Sequence, residues 1–252
     1  MSKSVIEIDS FGFFYCGKLE SVEFGDRLET IGYCAFTRCT SLEYLKLPSI
    51  ITIEQDAFFC CESLTDIELS ERLETIEIGA FRVCKRLQRI VIPLKRDLFE
   101  YSDNDEKYNQ FDECYRLITV DLVGGIHKTV ASLHMESWRV EMLAEINRIN
   151  QVLPNTAVFR KTDEIQQWME VVMDKMDRYK DEHYRYVKEG ITLLELALWK
   201  AKLGEKDEKG DRSVGRHTKK AKVDSESARK EKRVKCGAEI VIKNVLPFLQ
   251  LE

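Results

Sequence analysis

The chain has almost none of the signatures that enzymes carry. Its four histidines, His127, His134, His183 and His217, are scattered, and none stands in the short spacing that a metal site uses. No glycine-rich loop follows a strand-like run, because Gly204, Gly210 and Gly215 fall in a polar stretch. Neither a nucleophile elbow nor a pair of carboxylates placed for acid–base work is identifiable. The sequence therefore gives no positive ground for catalysis, and neither a cofactor nor a metal is expected. No basic n-region with an apolar h-region opens the chain, and no Asn-x-Ser/Thr acceptor occurs. No apolar run approaches the roughly 18–20 residues of a membrane span. These absences predict no membrane and a reducing compartment, cytoplasmic or nuclear. The chain also opens inside a repeat with no polar cap, the form that a fragment lacking upstream repeats and a signal would take.

What is present is a block recurring every 22–23 residues through the first half. Its phenylalanine falls at Phe13, Phe36, Phe58, Phe81 and Phe111. A cysteine follows three residues later at Cys16, Cys39, Cys61, Cys84 and Cys114, and a leucine three later again at Leu19, Leu42, Leu64, Leu87 and Leu117. Then comes an apolar-x-apolar pair: Val22/Phe24, Leu45/Leu47, Ile67/Leu69, Ile90/Ile92 and Val120/Leu122. A fixed period of this size predicts a solenoid. One unit alone buries too little apolar surface to offset the entropy of ordering its backbone, so units must stack. The alternating pair reads as a short strand with Val22 and Phe24 inward and Ser21 and Glu23 outward. Successive strands are expected to pair in parallel, with like positions stacking into a phenylalanine column and a cysteine column. The stretch Ile31 to Cys39 reads as a turn and a short helical or 3₁₀ segment.

The units resemble the BspA-like leucine-rich repeats, I-x-x-I-G-x-x-A-F-x-x-C-x-x-L-x-x-I-x-L-P, over roughly residues 5–124. Ile31 to Pro48, Ile53 to Leu69 and Ile76 to Pro93 match best; Glu54 and Glu77 replace Gly32 in later units, and Gly12 stands where the alanine belongs in the first. The resemblance implies an α/β solenoid, a short parallel-sheet repeat stack, with a mainly helical region after it here. Such repeats are interaction surfaces with diverse partners. The second half resembles a segment that accompanies these repeats in diatom proteins, which assigns no activity.

Five of the eight cysteines share one repeat position and are expected to be buried thiols. No Cys-x₂₋₄-Cys pair with partner histidines suggests a metal. The spacing lengthens before the last unit: 17 residues separate Pro93 from Phe111, against nine between Pro48 and Phe58. This acidic and aromatic insert, Asp97 to Glu106, reads either as a solvated loop or as a partner-contacting one.

Four segments follow from composition: repeats over residues 1–125, a helical hairpin or cap over 126–203, a basic linker over 204–235 that is almost free of large apolar residues and expected to be disordered or marginally helical, and an apolar C-terminal segment over 236–252. Residues His127 to Leu153 look helical, with Val130, Leu133, Trp138, Met142, Ile146, Ile149 and Leu153 on one side, placed to cover the last repeat. A second helix is expected from a Thr162 cap. Its heptad-like seam runs Ile165, Met169, Val172, Met176, Tyr179, His183, Tyr186, Gly190, Leu193, Ala197, in the manner of a hairpin or coiled coil. The apolar run Leu193 to Trp199 should be buried, by the chain's own packing or by a homodimer or partner helix. Residues 212–235 carry ten Lys/Arg against three Asp/Glu. Their clusters, Lys219, Lys220, Lys222 and Arg229, Lys230, Lys232, Arg233, resemble a bipartite nuclear-import signal or a solvated linker. Residues 1–125 balance at −9 and the remainder at +4. An acidic repeat surface, with no aromatics among the basic clusters, disfavours nucleic acid.

The leading expectation is a non-catalytic scaffold or adaptor that binds a protein. Its partner face would be the outward strand positions Ser21, Glu23, Tyr44, Lys46, Asp66, Glu68, Arg89, Val91, Thr119 and Asp121; the plain alternative is a solvated sheet face. A nuclear regulator using the basic segment is the second reading, and an adhesive surface module preceded by a signal peptide the third.

Overall fold

The computed structural model describes residues 5–100 and 109–210. They divide into two compact units, residues 1–177 and 178–252, each taken by itself below. The first unit holds the repeats. Its eight strands are β1 (Glu7–Ile8), β2 (Thr30–Ile31), β3 (Tyr44–Lys46), β4 (Thr52–Ile53), β5 (Asp66–Glu68), β6 (Thr75–Ile76), β7 (Arg89–Ile92) and β8 (Thr119–Leu122). They form two parallel ladders rather than one. Sheet A has the order β1-β2-β4-β6 and sheet B the order β3-β5-β7-β8. Sheet B is the expected strand ladder, with Leu45, Ile67, Ile90 and Val120 in register. Sheet A escaped the sequence reading because a two-residue Thr-Ile strand is too short to show alternation. The first unit's Val22/Phe24 pair forms no strand and is only half-buried.

The segment expected as a turn with a short helical or 3₁₀ piece is a run of turns throughout, with no helix. Ala35 N and Cys39 N bond back three residues, to Gly32 O and Phe36 O. Alternating with these, Cys34, Phe36 and Arg38 donate their N–H groups across to the next rung. A helix would turn every N–H inward along its own axis; this alternation sends every second one to a neighbour. It requires left-handed backbone at regular intervals, seen at Phe11, Cys34 and Asp56 (φ 60, 53 and 54°) and again at Tyr15, Arg38 and Cys60 (φ 59, 62 and 58°). Non-glycine residues hold that conformation only under tertiary constraint.

Stacking builds the two expected columns. Phe13, Phe36, Phe58, Phe81 and Phe111 lie ring on ring, with centroids 4.9, 5.2, 5.4 and 5.8 Å apart and planes within 8° of parallel. The cysteines are free thiols. Four of them donate to the phenylalanine carbonyl of the rung before: Cys39 to Phe13, Cys61 to Phe36, Cys84 to Phe58 and Cys114 to Phe81, at 3.1–3.4 Å. A thiol is small enough for this crowded column and still supplies a weak donor.

The long insert is partly core. Leu98 and Phe99 are buried, and Phe99 bridges Ile76 as a further sheet A position. Phe99 also packs edge-on against Phe111 at 5.7 Å. The expectation of a loop, solvated or partner-contacting, fails for this part because Leu98 and Phe99 fill the rung's own sheet A slot. Residues 101–108 lie outside the described ones. Gln110, at the alanine position of earlier rungs, staples the insert by donating its Nε2 to Ile76 O (3.1 Å) and Glu100 O (2.6 Å).

Helices close the last rung. The run expected from His127 to Leu153 breaks at residues 132–135 into α1 (Gly125–Ala131) and α2 (Glu136–Val152). All seven of its expected apolar residues are buried. α3 (Lys161–Gly210) starts at Lys161, so Thr162 lies inside the helix and is not its cap. Its side chain serves the repeat stack instead. Phe111 N, which in an inner rung would bond the next rung, donates to Thr162 Oγ1 at 3.3 Å. Asn150 likewise replaces a strand. Its Oδ1 accepts from Val120 N (2.8 Å) and its Nδ2 donates to Val120 O (3.1 Å). The buried Lys161 Nζ donates to the carbonyls of Cys114, Tyr115 and Leu117 (3.2, 3.2 and 2.6 Å). Arg96 ties the loop after β7 to Asp174 (2.7 Å) and Asp177 (3.0 Å) of α3.

In the second unit α3 continues to Gly210. Of the expected seam, Tyr179 is buried but Leu193 is 50% exposed. The run expected to be buried is largely open, with Leu196, Leu198 and Trp199 exposed. The import candidates and residues 236–252 lie outside the described residues.

Candidate interaction surface

The proposed partner face sits on sheet B, and its backbone register fixes the rows. Tyr44, Asp66, Arg89 and Thr119 form one row, and Lys46, Glu68, Val91 and Asp121 the other. Lys46 and Tyr44 are exposed, while Asp66, Glu68, Arg89, Thr119 and Asp121 are half-buried. Ser21 and Glu23 are exposed but stand outside the ladder, in the unpaired first unit. Val91 departs from the set at 9% exposure. Its short branched side chain lies between Glu68 and Asp121 in register and does not reach past them.

Opposite charges alternate along this face. Lys46 Nζ lies 2.9 Å from Glu68 Oε2. Arg89 Nε lies 2.7 Å from Asp121 Oδ2, with Asp66 at 3.8 Å and Glu68 at 4.0 Å from its Nη1. The hydrogen bond from Lys46 holds the Glu68 carboxyl below its usual range, helped by one from Tyr44. Glu68 in turn raises Lys46, and the Asp121 contact raises Arg89. The face is thus an ion-paired lattice, two cations held among three carboxylates, rather than a row of unpaired acids.

A second surface was not legible as a site. On the turn side of the first two rungs, Phe11, Phe14, Tyr15 and Tyr33 are exposed by 50, 41, 56 and 39%. Phe11 meets Phe14 at 5.3 Å and Tyr33 at 5.2 Å, edge to face. Arg38 stacks over Tyr15 at 4.9 Å. Aromatics and arginine are the residues that dominate binding energy in protein interfaces. The signal was present in Phe11, Phe14 and Tyr15, which fill variable positions of the first repeat, but the repeat pattern assigns those positions no role.

Residues 1–106 match the family described as BspA type leucine rich repeat region (6 copies). The repeat region belongs to the BspA-type leucine-rich repeats. Its fifth rung, with Phe111 and β8, lies beyond the matched residues yet continues both the stack and sheet B. Similar solved structures include a leucine rich repeat protein of T. pallidum (24% identity, TM-score 0.39, covering 46% of this chain and 62% of that one). A leucine rich cell surface protein of Faecalibacterium prausnitzii A2-165 is 28% identical (TM-score 0.34, 40% and 25% covered). A leucine-rich repeat protein of Bacteroides ovatus ATCC 8483 is 24% identical (TM-score 0.31, 48% and 38% covered). The chain therefore spans less than two thirds of each. No curated protein matches it. Among the described residues, no group of three or more His, Cys, Asp or Glu is placed to hold a metal ion. None of their helices is long and apolar enough to cross a membrane.

Proposed function

We propose that this chain is a non-catalytic protein-interaction scaffold and that the outward face of sheet B receives its partner. The observation that carries this reading is the continuous lattice of Tyr44, Lys46, Asp66, Glu68, Arg89 and Asp121, locked by strand register. A surface held rigid before binding loses little side-chain entropy on binding, and a fixed charge pattern selects partners by complementarity. The test is an affinity capture comparing the intact chain with the swapped pair Lys46→Glu/Glu68→Lys. The swap keeps the ion pair between these two positions while it inverts the pattern shown to a partner, and circular dichroism checks that the variant is folded. Loss of a captured protein supports the reading; equal capture removes sheet B from it.

A second reading rests on the basic clusters Lys219, Lys220, Lys222 and Arg229, Lys230, Lys232, Arg233: a nuclear regulator that recruits partners through its repeats. Alanine at these seven positions should abolish nuclear accumulation of a fluorescent fusion, and unchanged import would remove the proposal. Self-association through the helical region is read from the exposed Ile191, Leu193, Leu196, Leu198 and Trp199, because a helix apolar on every side needs cover. Sedimentation of the intact chain against a Leu193→Gln/Leu196→Gln variant tests it; a monomer at all concentrations rules it out.

A further inference from the structure

On and beside sheet B, a charge meets its opposite one rung away. Lys46 meets Glu68 at 2.9 Å, and Lys85 meets Glu62 at 2.8 Å. The position after Lys85 does not follow this pattern. It holds Ser41 and Ser63 in the second and third rungs but Arg86 and Arg116 in the fourth and fifth. β7 and β8 pair Arg89 with Thr119, so Arg86 and Arg116, each three residues earlier, stand one rung apart. Both are exposed. Among the described residues, no carboxylate pairs with either guanidinium and no acceptor bonds it. Like charges held this close repel. Two exposed apolar side chains flank the pair, Tyr115 at 57% and Ile118 at 43%. Beneath the corner lies a third cation, the buried Lys161 ammonium. Its bonds to the carbonyls of Cys114, Tyr115 and Leu117 fix the bend that carries Arg116. Carboxylates bound the cationic spot: Glu62 on Lys85, and Asp66 and Asp121 on Arg89.

We propose that this corner receives a phosphoserine or phosphothreonine of a partner protein, held between the Arg86 and Arg116 guanidiniums. An apolar neighbour of the phosphorylated residue covers Tyr115 and Ile118. The forked donors of arginine match phosphate oxygens in pairs, and arginine clusters are a recurring means of reading phosphorylated segments. A phosphate dianion neutralises both arginines, whereas one carboxylate neutralises one. The bounding acids decide against nucleic acid, because a track of phosphates leaving the spot would meet Glu62, Asp66 or Asp121. Tyr115 and Ile118 decide against free phosphate, which would leave both uncovered, while a peptide buries them as interfaces bury aromatic and apolar groups. Since Lys161 already fixes the bend, the backbone of Arg116 needs no ordering on binding. The corner adjoins sheet B but shares neither residue of the Lys46→Glu/Glu68→Lys swap, so the two assignments fail independently.

The probe is a set of three immobilised peptide libraries with phosphoserine, glutamate or serine at a fixed central position between randomised flanks. They are overlaid with the fluorescently labelled full chain at physiological salt. Saturable binding to the phosphoserine library is expected, about tenfold or more above the other two, with apolar residues enriched beside the phosphoserine. Arg86→Gln/Arg116→Gln should lower it about tenfold or more with unchanged circular dichroism, because both side chains are exposed. Alanine at the seven positions of the basic clusters should leave it unchanged, which separates this corner from the C-terminal basic segment. Four results overturn the proposal. Equal binding to the serine library removes phosphate recognition, and equal binding to the glutamate library makes the ligand an acidic segment. Binding kept by the glutamine variant, or lost in the alanine variant, places recognition elsewhere. Displacement by inorganic phosphate as effective as that by bound phosphopeptide marks a small-ion site. The library comparison needs only the natural chain, so it stands whatever the variants do to folding.

Discussion

At Cys39 the repeat's chemistry reduces to one thiol in a crowded column. Burial pushes its pKa up to about 11 from the usual 9.0, and Cys61 and Cys84 are pushed well above that usual value. A group whose folded pKa is raised binds its proton more tightly folded than unfolded. Its contribution is complete below the unfolded pKa and is lost as pH rises through the folded one. Stability should therefore fall between about pH 9 and 11, and Cys39→Ser should flatten this fall relative to the natural chain; thermal melts across that range measure it. An equally steep fall in the variant would show that other groups set the alkaline limit. Gly32 is a second residue where local contact decides. A Cβ there would lie 2.8 Å from both Ile8 O and Ser10 N, which are backbone atoms and cannot step aside. Gly32→Ala should destabilise the stack, by about 1–3 kcal/mol, as the overpacking range indicates. Later units carry Glu54 and Glu77 at this position, and their carboxylates accept from the N–H groups of Tyr33 (2.7 Å) and Gln55 (2.8 Å). The departure from the repeat pattern is thus a functional hydrogen bond between rungs rather than a tolerated irregularity.

Elements end where they do because the last rung lacks a successor. β8 would expose an open edge, and an unpaired edge invites association. α2 supplies Asn150, whose side-chain amide carries the same donor and acceptor as a peptide group and completes Val120 as a strand would. Leucine has the same branched four-atom side chain, somewhat larger, but offers neither donor nor acceptor. Asn150→Leu should cost about 1–3 kcal/mol by leaving buried backbone groups unpaired, read in urea unfolding at constant slope. Lys161 does related work with charge. Burial lowers its pKa, yet three carbonyls surround its ammonium. Lys161→Met keeps the aliphatic stem and removes the donor, so a loss comparable to that of Asn150→Leu is expected; a neutral effect would mean that the helices cap by packing alone.

Across the whole repeat stack, stability passes from rung to rung. In such arrays each repeat contacts only its neighbours, so the middle couples the ends. Phe58 lies between Phe36 and Phe81 in the ring column. Phe58→Ala should cost about 3–5 kcal/mol and weaken that coupling. Hydrogen exchange should then show the rungs before Phe58 opening at lower free energy than those held by the helical cap. Uniform loss of protection along the stack would show that a mid-column ring does not divide it.

The period, the phenylalanine and cysteine columns and sheet B were settled by sequence alone, because a repeated pattern forces like residues into like positions and Leu45, Ile67 and Ile90 have room to alternate. The same logic located the apolar side of α1 and α2. Tertiary structure decided what depends on neighbours far along the chain. Sheet A rests on two-residue strands that only pairing makes visible. The left-handed turns at Cys34 and Arg38 exist because alternate N–H groups must reach the next rung. Phe99 looked like loop until a vacant sheet A position received it, and Thr162 looked like a helix cap until the last phenylalanine's N–H claimed its oxygen. Charge counts gave an acidic repeat region, but the distances from Lys46 and Arg89 to their partners made the sheet B face a lattice of ion pairs. Local pattern specifies which residues face inward; which side chains pair the backbone groups of the last rung is a property of the assembled stack.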